Sequence, residues 1–242
     1  MTIMDYEELN YQSVAARELE VSAAFPALMR KVYLWMTMAL AITGLTAYIV
    51  ATNATLLTMI YSSPVVMWGL IIAELAIVIG VSAAINKLSL PVATMLFVLY
   101  SVINGALFSS IFLVYTMTSI STVFFITAGT FGAMSLYGYT TKSDLSSWGK
   151  LLMMALIGLV IATVVNMFVK SSGLQMILSY VGVLVFVGLT AYDTQKIKQM
   201  CLQAPDAGET MQKYALLGAL SLYLDFINLF IYLLRIFGGR RD

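Results

Sequence analysis

Seven stretches of the chain, residues 32–50, 65–85, 90–115, 121–139, 151–169, 174–192 and 214–237, are 19 to 26 residues long and nearly free of charge. Crossing about 30 Å of hydrocarbon takes roughly 20 apolar residues at about 1.5 Å each. Lipid offers no hydrogen bonds, so each crossing segment must satisfy its own backbone, and an α-helix does so. The pattern predicts an all-α polytopic membrane protein with seven transmembrane helices. Composition agrees: 61% of the 242 residues are hydrophobic and 10% charged, whereas soluble domains average about 45 to 50% and about 25%. The connections are short and turn-like, such as "NKLSLP" and "TTKSDLSSWGK". Residues 1–28 read as a short acidic cytosolic tail and residues 29–242 as one seven-helix transmembrane domain.

Much chemistry is excluded at once. With no histidine and one cysteine, Cys201, there is no disulfide framework, HExxH zinc site, His-dependent triad or Cys–His pair. Cys201 reads as a free thiol in a polar loop. A net charge of +1 without basic runs interleaved with aromatics gives no reason to expect nucleic acid. No cofactor is expected. The N-terminus carries Asp5, Glu7, Glu8, Glu18 and Glu20 against Arg17, the reverse of a signal peptide. The first run is therefore expected to act as the insertion signal.

Lysine and arginine placement predicts orientation. With a cytosolic N-terminus, nine of the 13 cationic residues (Arg17, Arg30, Lys31, Lys87, Lys142, Lys150, Lys196, Lys198 and Lys213) lie inside, and the outer loops hold only Lys170. Arg235, Arg240 and Arg241 follow the last run and break the pattern. Either the rule fails there or the last helix is not an ordinary lipid-facing span.

That helix has another peculiarity. Gly218, Ser221, Asp225, Asn228, Tyr232 and Arg235 are spaced by three or four residues and share one helical face. An ionisable side chain at the centre of a membrane helix costs roughly 2.5 to 3.5 kcal/mol or more, so the seam should face other helices or a wet cavity. The last helix is therefore expected inside a ring of the others. Asp225 then reads as part of an ion or proton path, or else as a polar lock between helices. Two more acids lie at comparable depth. Glu74 reads either as a neutral acid bonded to a neighbouring backbone or as a functional group. Asp193 reads either as a helix-end charge at the interface beside Lys196 or as a functional group. Asn104 and Asn166 are expected to bond between helices, and Ser101, Gly105 and Ser109 to form a stripe for close packing.

"SLYGYTTKSDLS" (135–146), "VFVGLTAYDTQKIK" (185–198) and "LGALSLYLDFINLFIYLLRIFG" (217–238) resemble the Bax inhibitor-1 family of transmembrane proteins, in its bacterial branch. The resemblance implies six helices wrapped around a central seventh, in agreement with the seam. It also implies an aspartate dyad that acts as a pH-sensitive element in calcium leak, and Asp193 and Asp225 match its two positions. Some members latch the dyad with an arginine near the inner end of helix 2, where this chain has Ile85, Asn86 and Lys87.

Two carboxylates within hydrogen-bond range do not both ionise easily in a low-dielectric site, so such a pair shares a proton and titrates as a unit. Losing that proton leaves a hard-oxygen site suited to transient Ca²⁺. Repulsion between the acids and retention of a bound cation pull opposite ways, so the direction of pH gating stays open. The expected function is a pH-sensitive Ca²⁺ leak or ion-homeostasis protein of a bacterial inner membrane, with Asp193 and Asp225 on the ion path and Ser221, Asn228, Tyr232 and Glu74 as supporting polar groups. A binding modulator of a membrane-anchored ATP-dependent protease is the alternative, with the acidic tail as its handle. An intramembrane aspartyl protease is a remoter one: "AYD" at 191–193 resembles the first motif of presenilin-type enzymes, but "LYLD" before Asp225 lacks the glycines of the second. Proton-coupled transport has no inverted repeat to support it.

Overall fold

The computed structural model describes the backbone of residues 3–203 and 208–241, with side chains from residue 23 onward. Seven of its helices are long and apolar enough to cross a membrane. In chain order the helices are α1 (Ile3–Thr52), α2 (Ala54–Tyr61), α3 (Pro64–Ala84), α4 (Leu90–Phe108), α5 (Ile111–Val114), α6 (Met117–Thr140), α7 (Ser146–Val169), α8 (Ser172–Leu202) and α9 (Glu209–Phe237). Among the described residues the remaining regular structure is a single antiparallel bridge between Tyr115 and Arg240. The protein is an all-α polytopic membrane protein.

Helix ends fall where side chains can take over from the backbone. Asn53, Thr116 and Ser171 cap α2, α6 and α8 by accepting from the N–H groups of Leu56, Ser119 and Leu174. Prolines stand in the first turns of α3 and α4, where their missing N–H costs nothing. The third apolar run is not one helix, because it breaks between α4 and α5. Tyr61 covers the break, its hydroxyl donating to the Leu107 carbonyl (2.8 Å) and accepting from the Ser110 N–H (3.1 Å). Backbone groups that lipid could not satisfy are thereby paired within the protein.

Two runs extend further than their apolar cores. The span of α1 that can cross begins at Ala23 and continues through Pro26. The acidic positions from Asp5 to Glu20, including the proposed partner handle, lie outside the residues whose side chains are described. The sixth apolar run continues as α8 to Leu202, ten residues past Tyr192, with Ile197 and Cys201 buried. Cys201 is therefore a core residue of a helix and not a loop thiol, because the polar residues around it lie on the other faces of α8.

The helix carrying the polar seam is the most buried span. Of its most apolar stretch 67% is buried, against 6% for α3 and for α7. It packs on α1, α4, α6 and α8, while α3 packs on α4 and α7 on α8. Beyond α9 the chain folds back on the turn between α5 and α6. The Arg241 N–H donates to the Val114 carbonyl (2.9 Å) and its guanidinium to the Phe112 carbonyl (3.2 Å). The Arg235 guanidinium lies over the Tyr232 ring at 5.4 Å. The cations that break the lysine–arginine pattern are thus held against the protein itself. The antiparallel course of the spans gathers Arg30, Lys31, Lys87, Lys142, Lys150, Lys196, Lys198 and Lys213 at the opposite end.

Candidate functional site

The polar seam of α9 faces α8. Gly218 lies against Ile197, and Tyr232 lies over Gly182 and stacks on Phe186 (centroids 5.9 Å). Both contacts leave no room for a side chain on the glycine. They also fix an antiparallel register in which Asp225 stands level with the Leu189–Thr190 turn of α8. Asp193 is therefore offset from it by about one helical turn, roughly 5 Å along the axis.

Asp225 is 4% exposed, and its Oδ2 has no hydrogen-bond partner among the described residues. Most buried polar atoms are paired, so this oxygen needs an explanation. Asp193 is the acid that this register sets nearest along α8, and Lys196 follows it one turn further on. The neighbouring seam positions contribute less than their spacing suggests. The Asn228 amide donates to the Leu224 carbonyl of its own helix (2.8 Å), and Ser221 is half-buried.

Asp193 is held by its neighbours in sequence. Thr194, fully buried, donates to the Thr190 carbonyl (2.7 Å) and so must accept from Ser135 of α6 (3.0 Å). The Gln195 side chain accepts from the Leu145 N–H (2.9 Å) and donates to the Ser143 carbonyl (2.8 Å), which pins the loop between α6 and α7. Lys198 donates to the Tyr139 carbonyl (2.9 Å) and lies over the Tyr139 ring at 5.1 Å. Gly138 presses on the Ala191 backbone, where a Cβ would collide with the carbonyl oxygen. Segments 135–146 and 185–198, picked out separately in the sequence, are thus two sides of one contact. In the same loop the Ser146 side chain, and after it the Ser146 N–H (2.9 Å), hydrogen-bonds Asp144 and lowers its carboxyl below the usual range.

Glu74 belongs to a second polar cluster on the far side of α4. Its Oε1 accepts from the Asn104 amide (2.6 Å) and the Tyr100 hydroxyl (3.0 Å). Its partners are side chains of α4 and not a backbone. Asn104 thus bonds between helices as expected, whereas Asn166 accepts from the Ser171 N–H (3.1 Å) and closes the turn after α7, where Lys170 is left-handed. Behind this cluster Tyr223 of α9 is fully buried, edge-on to Phe97 and Tyr100. Its hydroxyl bonds Thr43 of α1 (2.7 Å), which donates to the Ser101 carbonyl (3.0 Å), so Tyr223 is the donor to Thr43. Gly105 of the small-residue stripe touches the Thr43 backbone. Thr43, Ser135, Thr194, Gln195 and Tyr223 escape sequence reasoning because none of them interrupts an apolar pattern. For all of them but Thr43, the signal was their presence inside the quoted segments.

No group of three or more Asp, Glu, His or Cys able to hold a metal occurs among the described residues. The two aspartates offer at most about four oxygens, short of the roughly six to eight that a resident Ca²⁺ takes. Near the end of α3, Ile85 is buried and Lys87 exposed.

Residues 26–242 match the family described as "Inhibitor of apoptosis-promoting Bax1". The chain is 56% identical over 215 residues to the inner membrane protein YbhL of Escherichia coli K12, covering 88% of this chain and 92% of that protein. An uncharacterized protein of Borreliella burgdorferi is 46% identical over 212 residues, 88% of this chain and 91% of the relative. One from Deinococcus radiodurans is 40% identical over 231 residues, 96% and 98% of the two chains.

Proposed function

The chain belongs to the Bax inhibitor-1 family of membrane proteins, and from that membership we propose that it is a pH-sensitive leak for cations, Ca²⁺ foremost, gated by the Asp193–Asp225 pair. The observation that carries the reading is a buried carboxyl oxygen without a partner among the described residues, on the most buried span, with the helix register setting a second acid, Asp193, about one turn along the neighbouring helix. Ca²⁺–oxygen bonds of about 2.3 to 2.6 Å let one ion bridge oxygens up to roughly 5 Å apart. A shared proton does the same work when no cation is present. Exchange of one for the other changes the repulsion across the α8–α9 contact and so biases how these helices pack. The E. coli relative's printed name supports an inner-membrane location. The gathering of cations at the Pro26 end supports a cytosolic N-terminus.

The test is Ca²⁺ flux in reconstituted liposomes over a pH series. Each of Asp193→Asn and Asp225→Asn should shift the pH midpoint, and the double variant should shift it by less than the sum, because either change already removes the shared site. Glu74→Gln, in a separate cluster, should add independently. Additive effects of the aspartate pair, or an unchanged pH response in the double variant, would sink the proposal.

A further inference from the structure

A second candidate site lies away from the aspartates. A groove of about 650 Å³ opens between α1 and α6, lined by Met29, Tyr33 and Met36 on one side and by Phe131, Gly132 and Leu136 on the other. The two helices barely touch, so the groove is a lateral gap, closed at its floor by the bond from the Tyr33 hydroxyl to Ser135 (2.6 Å). Because Ser135 donates onward to Thr194, Tyr33 is the donor at the start of this chain. The walls are apolar, and one cation, Arg30, stands at the Pro26 end. Arg30 is exposed and has no carboxylate partner among the described residues.

We propose that this groove binds one anionic phospholipid, its phosphate on Arg30 and an acyl chain laid along the gap over Tyr33 and Ser135. Depth supports the assignment. Counted from Thr52 at the far end of α1, Arg30 lies 22 residues away, about 33 Å. That places its guanidinium at the boundary between about 30 Å of hydrocarbon and the headgroups. From Pro26 to Thr37 the groove runs about 16 Å along the helix, all within one leaflet. Guanidinium pairs with phosphate through two parallel N–H bonds, which a lysine cannot copy. An unpaired arginine above an apolar slot therefore fits a negative headgroup with a chain attached better than a second protein surface. The lipid would cover the Tyr33–Ser135–Thr194 chain that ends beside Asp193. The inference itself does not depend on the leak.

Native mass spectrometry of the purified full chain with phosphatidylglycerol or phosphatidylcholine tests it. Wild type should retain phosphatidylglycerol about fivefold more than phosphatidylcholine, the factor that one cation near a headgroup supplies. Arg30→Gln should abolish that preference, and Arg30→Lys should keep part of it. Gly132→Leu is the independent arm: a Cβ there meets no atom within 4 Å, so the added side chain fills the groove without displacing the backbone. It should lower retention of both lipids while helicity and monodispersity stay unchanged. Equal retention of the two lipids by wild type would overturn the proposal, as would an unaltered preference in Arg30→Gln or unaltered retention in Gly132→Leu. Loss of a dimer in Gly132→Leu with no lipid adduct in wild type would also overturn it, by assigning the groove to a second copy.

Discussion

Replacing Glu74 tests what holds α3, one of the two least buried spans, to the bundle. Only 6% of the most apolar stretch of α3 is buried, so apolar packing against the protein contributes little there. Lipid tails are as apolar as the helix, and the hydrophobic effect does not favour one over the other. Among the described residues, the side-chain hydrogen bonds joining α3 to another helix are the two that Glu74 accepts from Tyr100 and Asn104. Interhelical bonds in bilayers average about 0.6 kcal/mol with a maximum near 1.7, so the two together contribute about 1 to 3 kcal/mol. Glu74→Leu removes both and also strands the hydroxyl of Tyr100 (3% exposed) and the amide of Asn104 (2% exposed). Each stranded donor adds a penalty of order 1 kcal/mol. The expected loss is about 3 to 5 kcal/mol. Glu74→Gln keeps an acceptor oxygen in place and should lose about 1 kcal/mol or less. Reversible unfolding in bicelles, followed by steric trapping, measures both. A Tyr100→Phe cycle against Glu74→Leu should return a coupling of roughly 1 kcal/mol. If Glu74→Leu unfolds like wild type, the clamp is refuted. If Glu74→Gln is as damaging as Glu74→Leu, charge and not acceptor geometry anchors α3, and the reasoning fails in a different place.

Gly138→Ala should destabilise by about 1 to 3 kcal/mol, because its Cβ would collide with the Ala191 carbonyl and force α6 away from α8. Gly129→Ala on the same helix meets open space and should be neutral or stabilising by up to about 1 kcal/mol, so equal melting temperatures for the two variants would contradict the packing argument. Cys201, fully buried, should resist maleimide in the folded protein and label completely in SDS. Rapid labelling of native protein would place it back in a loop.

How much of this was legible beforehand differs from element to element. The seven spans and the polar face of the last one are local properties: twenty apolar residues demand a helix in lipid, and a three-and-four spacing puts Asp225 on one face whatever surrounds it. The sequence by itself therefore determined the class of fold, the absence of histidine chemistry, and the fact that the last helix could not present its seam to acyl chains. The partner of each polar group was not local. Glu74 finds Asn104, Tyr223 finds Thr43, and Gln195 finds the loop at Ser143. Each pairing depends on the register and approach of two helices, and the small residues at the crossings set both. Gly138 lets α6 down onto Ala191, Gly105 lets α4 onto Thr43, and Gly182 and Gly218 lock α8 to α9 so that Asp193 and Asp225 come to stand a turn apart. A glycine in an apolar run looks the same whether a neighbouring backbone or only lipid lies beside it, as Gly129 and Gly132 do beside open space. Tertiary structure alone decided which glycines were contacts, because close approach is a property of two segments at once and apolar periodicity is a property of one.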